Sequence, residues 1–302
     1  MGVAVGLRRA LVATAAGLVL AAGAMAFVPS AERVERAIAE TNSASRRNRP
    51  LRLELSLRLA GGEPVARGEL VTHPQGLARL ELRTARGLVE RHVLQGTEHR
   101  ASRNGGALAD PRPFLPPLFL IQAETATTLR AALRSYGVWV DSIGLAPCGL
   151  RDCYVVGDPS KVPPPWPGPE GAAATPAAPE TAVGLSVPGA PDGPPLAASD
   201  GDAAAGAPRT RLWIDIETFD LLRIDFENGV SVRLGPPGQF EKIRFPQWIQ
   251  IDDPQRGSAR LDVSRVAPVA APAAAFGDAW LFRPTSLAED ADDGAAQTPG
   301  SP

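Results

Sequence analysis

The sequence predicts an α+β protein that is mainly β, a single curved antiparallel sheet with helices on one face. Three observations predict it. Residues 51–59, LRLELSLRL, put leucine at every odd position and Arg52, Glu54, Ser56 and Arg58 at the even ones, which is a strand with one apolar and one polar face. Short alternating segments separated by turn residues continue on both sides of the chain's middle, as in an antiparallel meander. Only two stretches, 30–42 and 118–136, carry helical spacing.

In chain order, residues 1–26 have the plan of a secretory signal peptide. Arg8 and Arg9 form the positive end, LVATAAGLVLAAGAMA the apolar run, and Ala24-Met25-Ala26 the small-x-small cleavage pattern. An uncleaved anchor is the rival reading, but the run is short and Ala-rich for a span of roughly 20 residues. An exported, periplasmic protein is therefore expected. The net charge of −2, or −4 once Arg8 and Arg9 are removed, offers no basic stripe for nucleic acid.

Residues 30–42, SAERVERAIAETN, read as a helix with Ser30 as cap and Glu32 in the first turn; Val34, Ala37, Ile38 and Thr41 share a face. Strands are expected at 51–59, 65–72, 77–84 and 88–95, followed by one that ends before Asn104-Gly105-Gly106. Prolines 111, 113, 116 and 117 bar a helix at the start of the next segment, and 118–136 can be helical, with Leu129 and Leu133 four apart. A second run of strands is expected to begin at 137–140 and to continue at 153–157.

Residues 159–208 are Pro, Ala and Gly with few large apolar groups, too little to offset the entropy of ordering, and read as a disordered insert between two strands. Further strands follow, broken by Asn228-Gly229, a strong hairpin signal, and by Gly235-Pro236-Pro237-Gly238 and Asp252-Asp253-Pro254. Residues 286–302 form an acidic tail, expected to be disordered. The organisation expected is thus a signal at 1–26, one domain at 27–285 interrupted by 159–208, and the tail.

The two cysteines, Cys148 and Cys153 in PCGLRDCYVVG, most simply form a disulfide in an exported chain. A zinc site would need further ligands that the histidines are not spaced to supply, and the spacing is not the redox C-x-x-C. No catalytic motif emerges: there is no G-x-S-x-G, no H-E-x-x-H and no phosphate-cradling loop, and His73, His92 and His99 are scattered over strands and turns. An enzyme is not expected, nor a cofactor or metal.

The leucine face is the better lead. Alternation alone does not separate a packed core face from a cavity wall. The apolar residues are mostly aliphatic, and few helical segments exist to cover so long a sheet, which favours a cavity. Its candidate lining is Leu51, Leu53, Leu55, Leu57, Leu59, Leu70, Leu80, Leu82, Ile224 and Phe226. An uncovered leucine trough would be an exposed apolar hazard, so a flap is expected, with Phe114, Leu115, Leu118, Phe119, Leu129 and Leu133 as its candidates.

Several stretches resemble the LolA/LolB-like lipoprotein carriers. GELVTHPQGLARLEL (68–82) is similar to their second strand pair, RLWIDIETFDLLRIDF (211–226) to their late Trp-x-Asp hairpin, and FPQWIQIDD with ARLDVSRV to their last strands, with Phe276 after the sheet. The resemblance spans most of 30–282 outside the insert. It implies a strongly curved half-barrel with helices plugging the concave side, and carriage of lipoprotein acyl chains or related hydrophobic ligands through the periplasm. The partners it implies are a lipoprotein or lipid, an inner-membrane export complex and an outer-membrane acceptor, with the carrier a monomer. The family's carriers place an arginine just before the strand-turn proline, where it helps hold the lid; here that position is His73, before Pro74. A regulatory binding module of the RseB type is the alternative, one that would carry a membrane partner's peptide instead of lipid.

Overall fold

A computed structural model of the chain describes residues 28–149, 151–157 and 209–284. The expected signal peptide, insert and acidic tail lie outside the described residues. The chain divides into two units, Met1–Ser30 and Ala31–Pro302, and every element below belongs to the second.

The first helix, α1, spans Ala31–Ala44 and buries Val34, Glu35, Ile38, Ala39 and Asn42 along one side. A meander follows: β1 (Leu51–Leu59), β2 (Pro64–His73), β3 (Leu77–Thr84), β4 (Val89–Gln95), β5 (Glu98–Arg103) and β6 (Gly106–Leu108). A 3-10 turn at Leu118–Ile121 and helix α2 (Ala126–Ser135) come next, then β7 (Ile143–Cys148) and β8 (Arg151–Val156). The last strands are β9 (Arg211–Asp215), β10 (Leu221–Asp225), β11 (Ser231–Leu234), β12 (Pro237–Phe240), β13 (Ile243–Pro246), β14 (Trp248–Asp253) and β15 (Gly257–Pro268). A 3-10 turn at Ala273–Phe276 and helix α3 (Asp278–Leu281) end the described chain.

Thirteen strands form one antiparallel sheet in the order β6-β5-β4-β3-β2-β1-β15-β14-β11-β10-β9-β8-β7, open at both edges, and β12 and β13 pair separately. The expected α+β, mainly β architecture is therefore present: a large curved sheet not closed into a barrel. Its curvature has local causes. The register slips between Glu54 and Leu55 against β15, between Leu57 and Arg58 against β2, and between Leu221 and Arg223 against β9. Each slip is a bulge, which bends a strand and increases its twist. Gly68 adds to this on the inner face, where a Cβ would stand 2.3 Å from the Glu81 carbonyl oxygen. No other residue fits so close an approach.

Directly paired residues of an antiparallel sheet share a face. The partners Leu53↔Val266, Leu53↔Leu70, Leu70↔Leu80 and Leu80↔His92 therefore run across one inner surface. The alternate residues form the outer surface, which is largely arginine–carboxylate pairs such as Arg58–Asp262 at 2.7 Å and Arg233–Asp252 at 3.0 Å. Two apolar patches interrupt it. The Cys148–Cys153 disulfide, formed across the end of the β7–β8 hairpin, packs with Val155 and Trp213. At the other end, Phe276 and Leu281 are fully buried against the outer side of β3–β5, held by Arg79, Gln95 and Ser102 to backbone carbonyls.

Two local expectations change. Residues 137–140 are not strand: Gly137, at φ +74°, ends α2, and the amide of Val138 reaches back to the Leu133 carbonyl at 3.1 Å. That six-to-one closure is a helix stop, so the second run of strands starts at Ile143. The stretch 118–136 is not one helix either, because Thr125 caps α2 afresh in a reciprocal box with Thr128. The hairpin at Asn228-Gly229 joins β10 to β11 as expected.

Candidate functional site

The inner face of the sheet is a trough, and the segment between β6 and α2 lies in it. Leu51, Leu53, Leu55, Leu57, Leu70, Leu80 and Leu82 are buried in one cluster with Val34 and Ile38 of α1, with Phe114, Leu115, Leu118 and Phe119, and with Leu129 and Leu133 of α2. All six flap candidates thus share a cluster with the strand leucines. Ile224 belongs to the same cluster, and Phe226 packs at its margin, its ring 6.1 Å from that of Tyr136.

The trough is not filled evenly. Leu51, Leu53, Leu70 and Leu80 have no exposed surface. Toward the C-terminal end of β1 the cover thins, and a cavity of about 590 Å³ opens beside Leu57, half-buried Leu59, Val65 and Leu82. Residues 108–114 form its far wall, with Leu108 and Phe114 facing the strands. Of the ten candidate cavity residues, Leu57, Leu59 and Leu82 line this space; the others lie beneath or beside protein side chains.

The covering segment is fastened differently at its two ends. At the C-terminal end a buried polar knot holds it. Asn42 donates to the carbonyls of Leu120 at 3.3 Å and Ala123 at 3.1 Å. Gln122 donates to the carbonyls of Arg47 and Arg49 and accepts from the Thr72 hydroxyl at 2.6 Å. Arg47, 2% exposed, joins Asn42 and Asp220, and Arg244 reaches Asp220 from outside at 2.6 Å. Burial pulls the Arg47 guanidinium below its ordinary value, with Asp220 opposing that shift. At the N-terminal end the segment is held by Arg256, which donates to the Pro111 carbonyl at 2.9 Å and to the carboxylate of Asp110.

His73, the residue the resemblance places at the lid, sits on the outer face instead. Its Nδ1 accepts from the Gln75 amide at 3.1 Å and its ring meets Phe276 edge-on, while burial lowers its pKa. The neighbouring Thr72, on the inner face, makes the contact with the covering segment through Gln122.

A polar string crosses the inner face beside the cavity. Arg103 donates to Glu90 at 3.0 Å, Glu90 meets His92 Nε2 at 2.9 Å, and His92 Nδ1 lies 3.1 Å from His99 Nε2. With one proton on each ring, His92 donates to the carboxylate and accepts from His99. His92 is fully buried and stands edge-on to Phe114, with ring centres 5.4 Å apart. His99 is pushed down to about 4, first by burial, then by neighbouring His92 and Arg256, against the pull of Glu90. Burial would raise the Glu90 carboxyl, but its bonds to His92 and Arg103 bring it below the usual range. The sequence left these histidines scattered. Their one signal was phase: Glu90 and His92 occupy the inward positions of VERHVLQ.

Among the described residues, no three of His, Cys, Asp and Glu gather as a metal-binding group, and no helix is long and apolar enough to cross a membrane.

No protein-family model matches the chain, and no curated protein matches it. Among solved structures, it is similar to a LolA superfamily protein from Nitrosomonas europaea, at 10% identity over 84% of this chain and 100% of that one, with a TM-score of 0.43. It is similar to a DUF1329 family protein from Desulfovibrio piger, at 14% identity over 84% and 100% of the two chains, TM-score 0.36. A Vibrio parahaemolyticus domain described as outer membrane lipoprotein-sorting is similar at 12% identity over 81% and 98%, TM-score 0.32.

Proposed function

We propose that the protein is a periplasmic carrier that shelters acyl chains of a lipoprotein or another hydrophobic ligand against the concave face of its sheet, in transit between the inner and outer membranes. Its partners in this reading are the lipid or lipoprotein itself, an inner-membrane export complex and an outer-membrane acceptor. The carrier acts without chemistry on its cargo. The observation that supports the reading best is the unequal fastening of an apolar cover over a leucine trough.

Residues 114–121 present Phe114, Leu115, Leu118, Phe119, Leu120 and Ile121 to the strands, all buried. Their C-terminal anchor is a knot of buried hydrogen bonds, costly to break without water. Their N-terminal anchor ends on Asp110, whose side chain is 80% exposed, so that pair contributes little. Such a cover lifts from the Asp110 end and pivots near Gln122. A displaced cover and an entering acyl chain offer the leucines the same kind of surface, so the exchange leaves the trough covered. An acyl chain of about 15 methylenes costs about 12 kcal/mol to expose to water, at about 0.8 per methylene, so it needs such cover to travel.

Transfer of a fluorescent two-chain lipid between donor and acceptor vesicles tests this. The rate should rise in proportion to protein added. It should fall back to the protein-free rate when Asp110→Cys and Arg256→Cys are joined by a short bismaleimide, with the unlinked double variant as control. No acceleration by the protein would overturn the carrier reading; equal rates for linked and unlinked protein would overturn the lifting cover.

A further inference from the structure

We propose that the cavity beside Leu57 and Leu82 is a binding site for one single-chain amphiphile with an anionic head group. This deepens the carrier reading and rests on it. Three features of the cavity carry the inference: its size, the separation of its surfaces, and an imbalance of donors at its rim.

The volume is about 590 Å³, within the range of about 300–1,000 Å³ common for small-molecule sites. A methylene takes up roughly the volume of a water, about 30 Å³, so the space matches about 20 non-hydrogen atoms. With the cover in place that is one chain with its head; the two or three chains of a membrane lipid or lipoprotein would need the cover lifted. The floor suits a chain: Leu57, Leu59, Leu82, Leu88, Leu108 and Phe114 all face it.

The rim suits an anion. Three arginines, Arg103, Arg112 and Arg256, border the cavity against two carboxylates, Glu90 and Asp110. Both carboxylates are engaged. Glu90 holds His92 with one oxygen and Arg103 with the other, and Asp110 holds Arg256. Asp253, beside the rim, accepts from the amides of its own turn, Gln255 and Arg256, with one oxygen, and its other oxygen lies 3.8 Å from the Arg256 guanidinium. Each guanidinium has five N–H donors and no acceptor. Arg103 spends two nitrogens on Glu90, and Arg256 two on Asp110 and Pro111. Arg112 is exposed, and among the described residues its guanidinium makes no hydrogen bond or ion pair, its carbonyl alone accepting from the Phe114 amide. The unspent donors sit where the apolar floor ends, so a carboxylate or phosphate at the end of a chain meets them with its tail on the leucines. A cationic head meets only carboxylates already paired with arginine, so it gains less there.

Calorimetric titration of the full protein with dodecyl phosphate, dodecanoate and dodecyltrimethylammonium, each below its micelle concentration, tests the proposal. Both anionic probes should bind with one molecule per protein, about tenfold or more tighter than the cation, as expected for one charge-assisted contact. Added salt should narrow the gap. Arg112→Glu should remove most of the preference while leaving dodecyltrimethylammonium affinity within twofold or raising it, and circular dichroism checks its fold. Equal affinity for the heads, or a preference unchanged in both Arg112→Glu and Arg112→Ala, overturns the head-group assignment and leaves the carrier reading standing. Tighter binding of a two-chain phosphatidic acid than of dodecyl phosphate overturns the single-chain assignment. If the folded protein binds none of the probes and moves no lipid between vesicles, both readings fall together.

Discussion

The two ends of the trough share one strand and one alternation, yet they are packed differently. At the Leu51–Leu55 end, side chains of α1 and of the covering segment leave the leucines without access to solvent. At the Leu57–Leu59 end, the same pattern borders a cavity with a charged rim. What changes is the bulge at Val65 of β2, opposite Leu57 and Arg58, and the distance from the buried knot around Gln122. A uniform leucine face thus specifies where an apolar partner sits, but the partner's identity is set by what the rest of the chain brings over it.

The largest effect is expected at the fastened end. Asp220→Ala leaves Arg47 buried without its carboxylate and should cost about 3–5 kcal/mol in urea denaturation. The paired change Arg47→Met with Asp220→Leu should recover most of that loss; if the single variant is as stable as the parent, the knot does not hold the cover. Slightly smaller, and more pointed, is a matched pair of truncations. Leu53→Ala at the filled end should cost about 3 kcal/mol, as for a fully packed leucine, whereas Leu59→Ala at the cavity should cost about 1 or less. Equal costs would erase the distinction between the ends.

The third prediction uses pH and is smaller still, because neighbouring charges offset part of it. His99 has a folded value of about 4 against an ordinary 6.5, so between these the unfolded chain binds a proton that the folded one refuses. Its contribution is fully present above pH 6.5 and is lost as pH falls toward 4, by at most about 3 kcal/mol. Comparing the protein with His99→Gln at pH 7 and pH 4.5 separates it from the carboxylates that titrate in the same range. The variant should lose less stability on acidification, and parallel losses would remove His99 from the polar string.

Much of this was legible in the sequence, for physical reasons. Alternation at 51–59 fixed a half-polar strand, Asn228-Gly229 a hairpin, and Cys148 with Cys153 a bridge across a tight turn. The irregular start of the covering segment was legible too, because Pro111, Pro113, Pro116 and Pro117 bar a helix there. Bulges were not, since a single extra residue such as Val65 leaves no compositional mark. The stop at Gly137 was missed because Val138-Trp139-Val140 has strand composition while the helix still needs its last carbonyls satisfied. The pairing of His92 with His99 depends on a cross-strand diagonal that follows only once β4 and β5 are in register. Asn42, Gln122 and Arg47 were illegible as a group, because they are polar residues from three elements whose meeting is a property of the fold.

In the carrier reading, the open end of the leucine trough holds another molecule's hydrocarbon. Native mass spectrometry of the protein purified from its own envelope, beside a Val65→Trp variant that fills the cavity, tests it most directly. Val65 is 45% exposed and borders the cavity, so the larger ring enters it without disturbing the filled end. The parent protein should carry one amphiphile mass and the folded variant none. A parent that stays bare even after incubation with its envelope lipids, or a variant loaded equally with the parent, would contradict it.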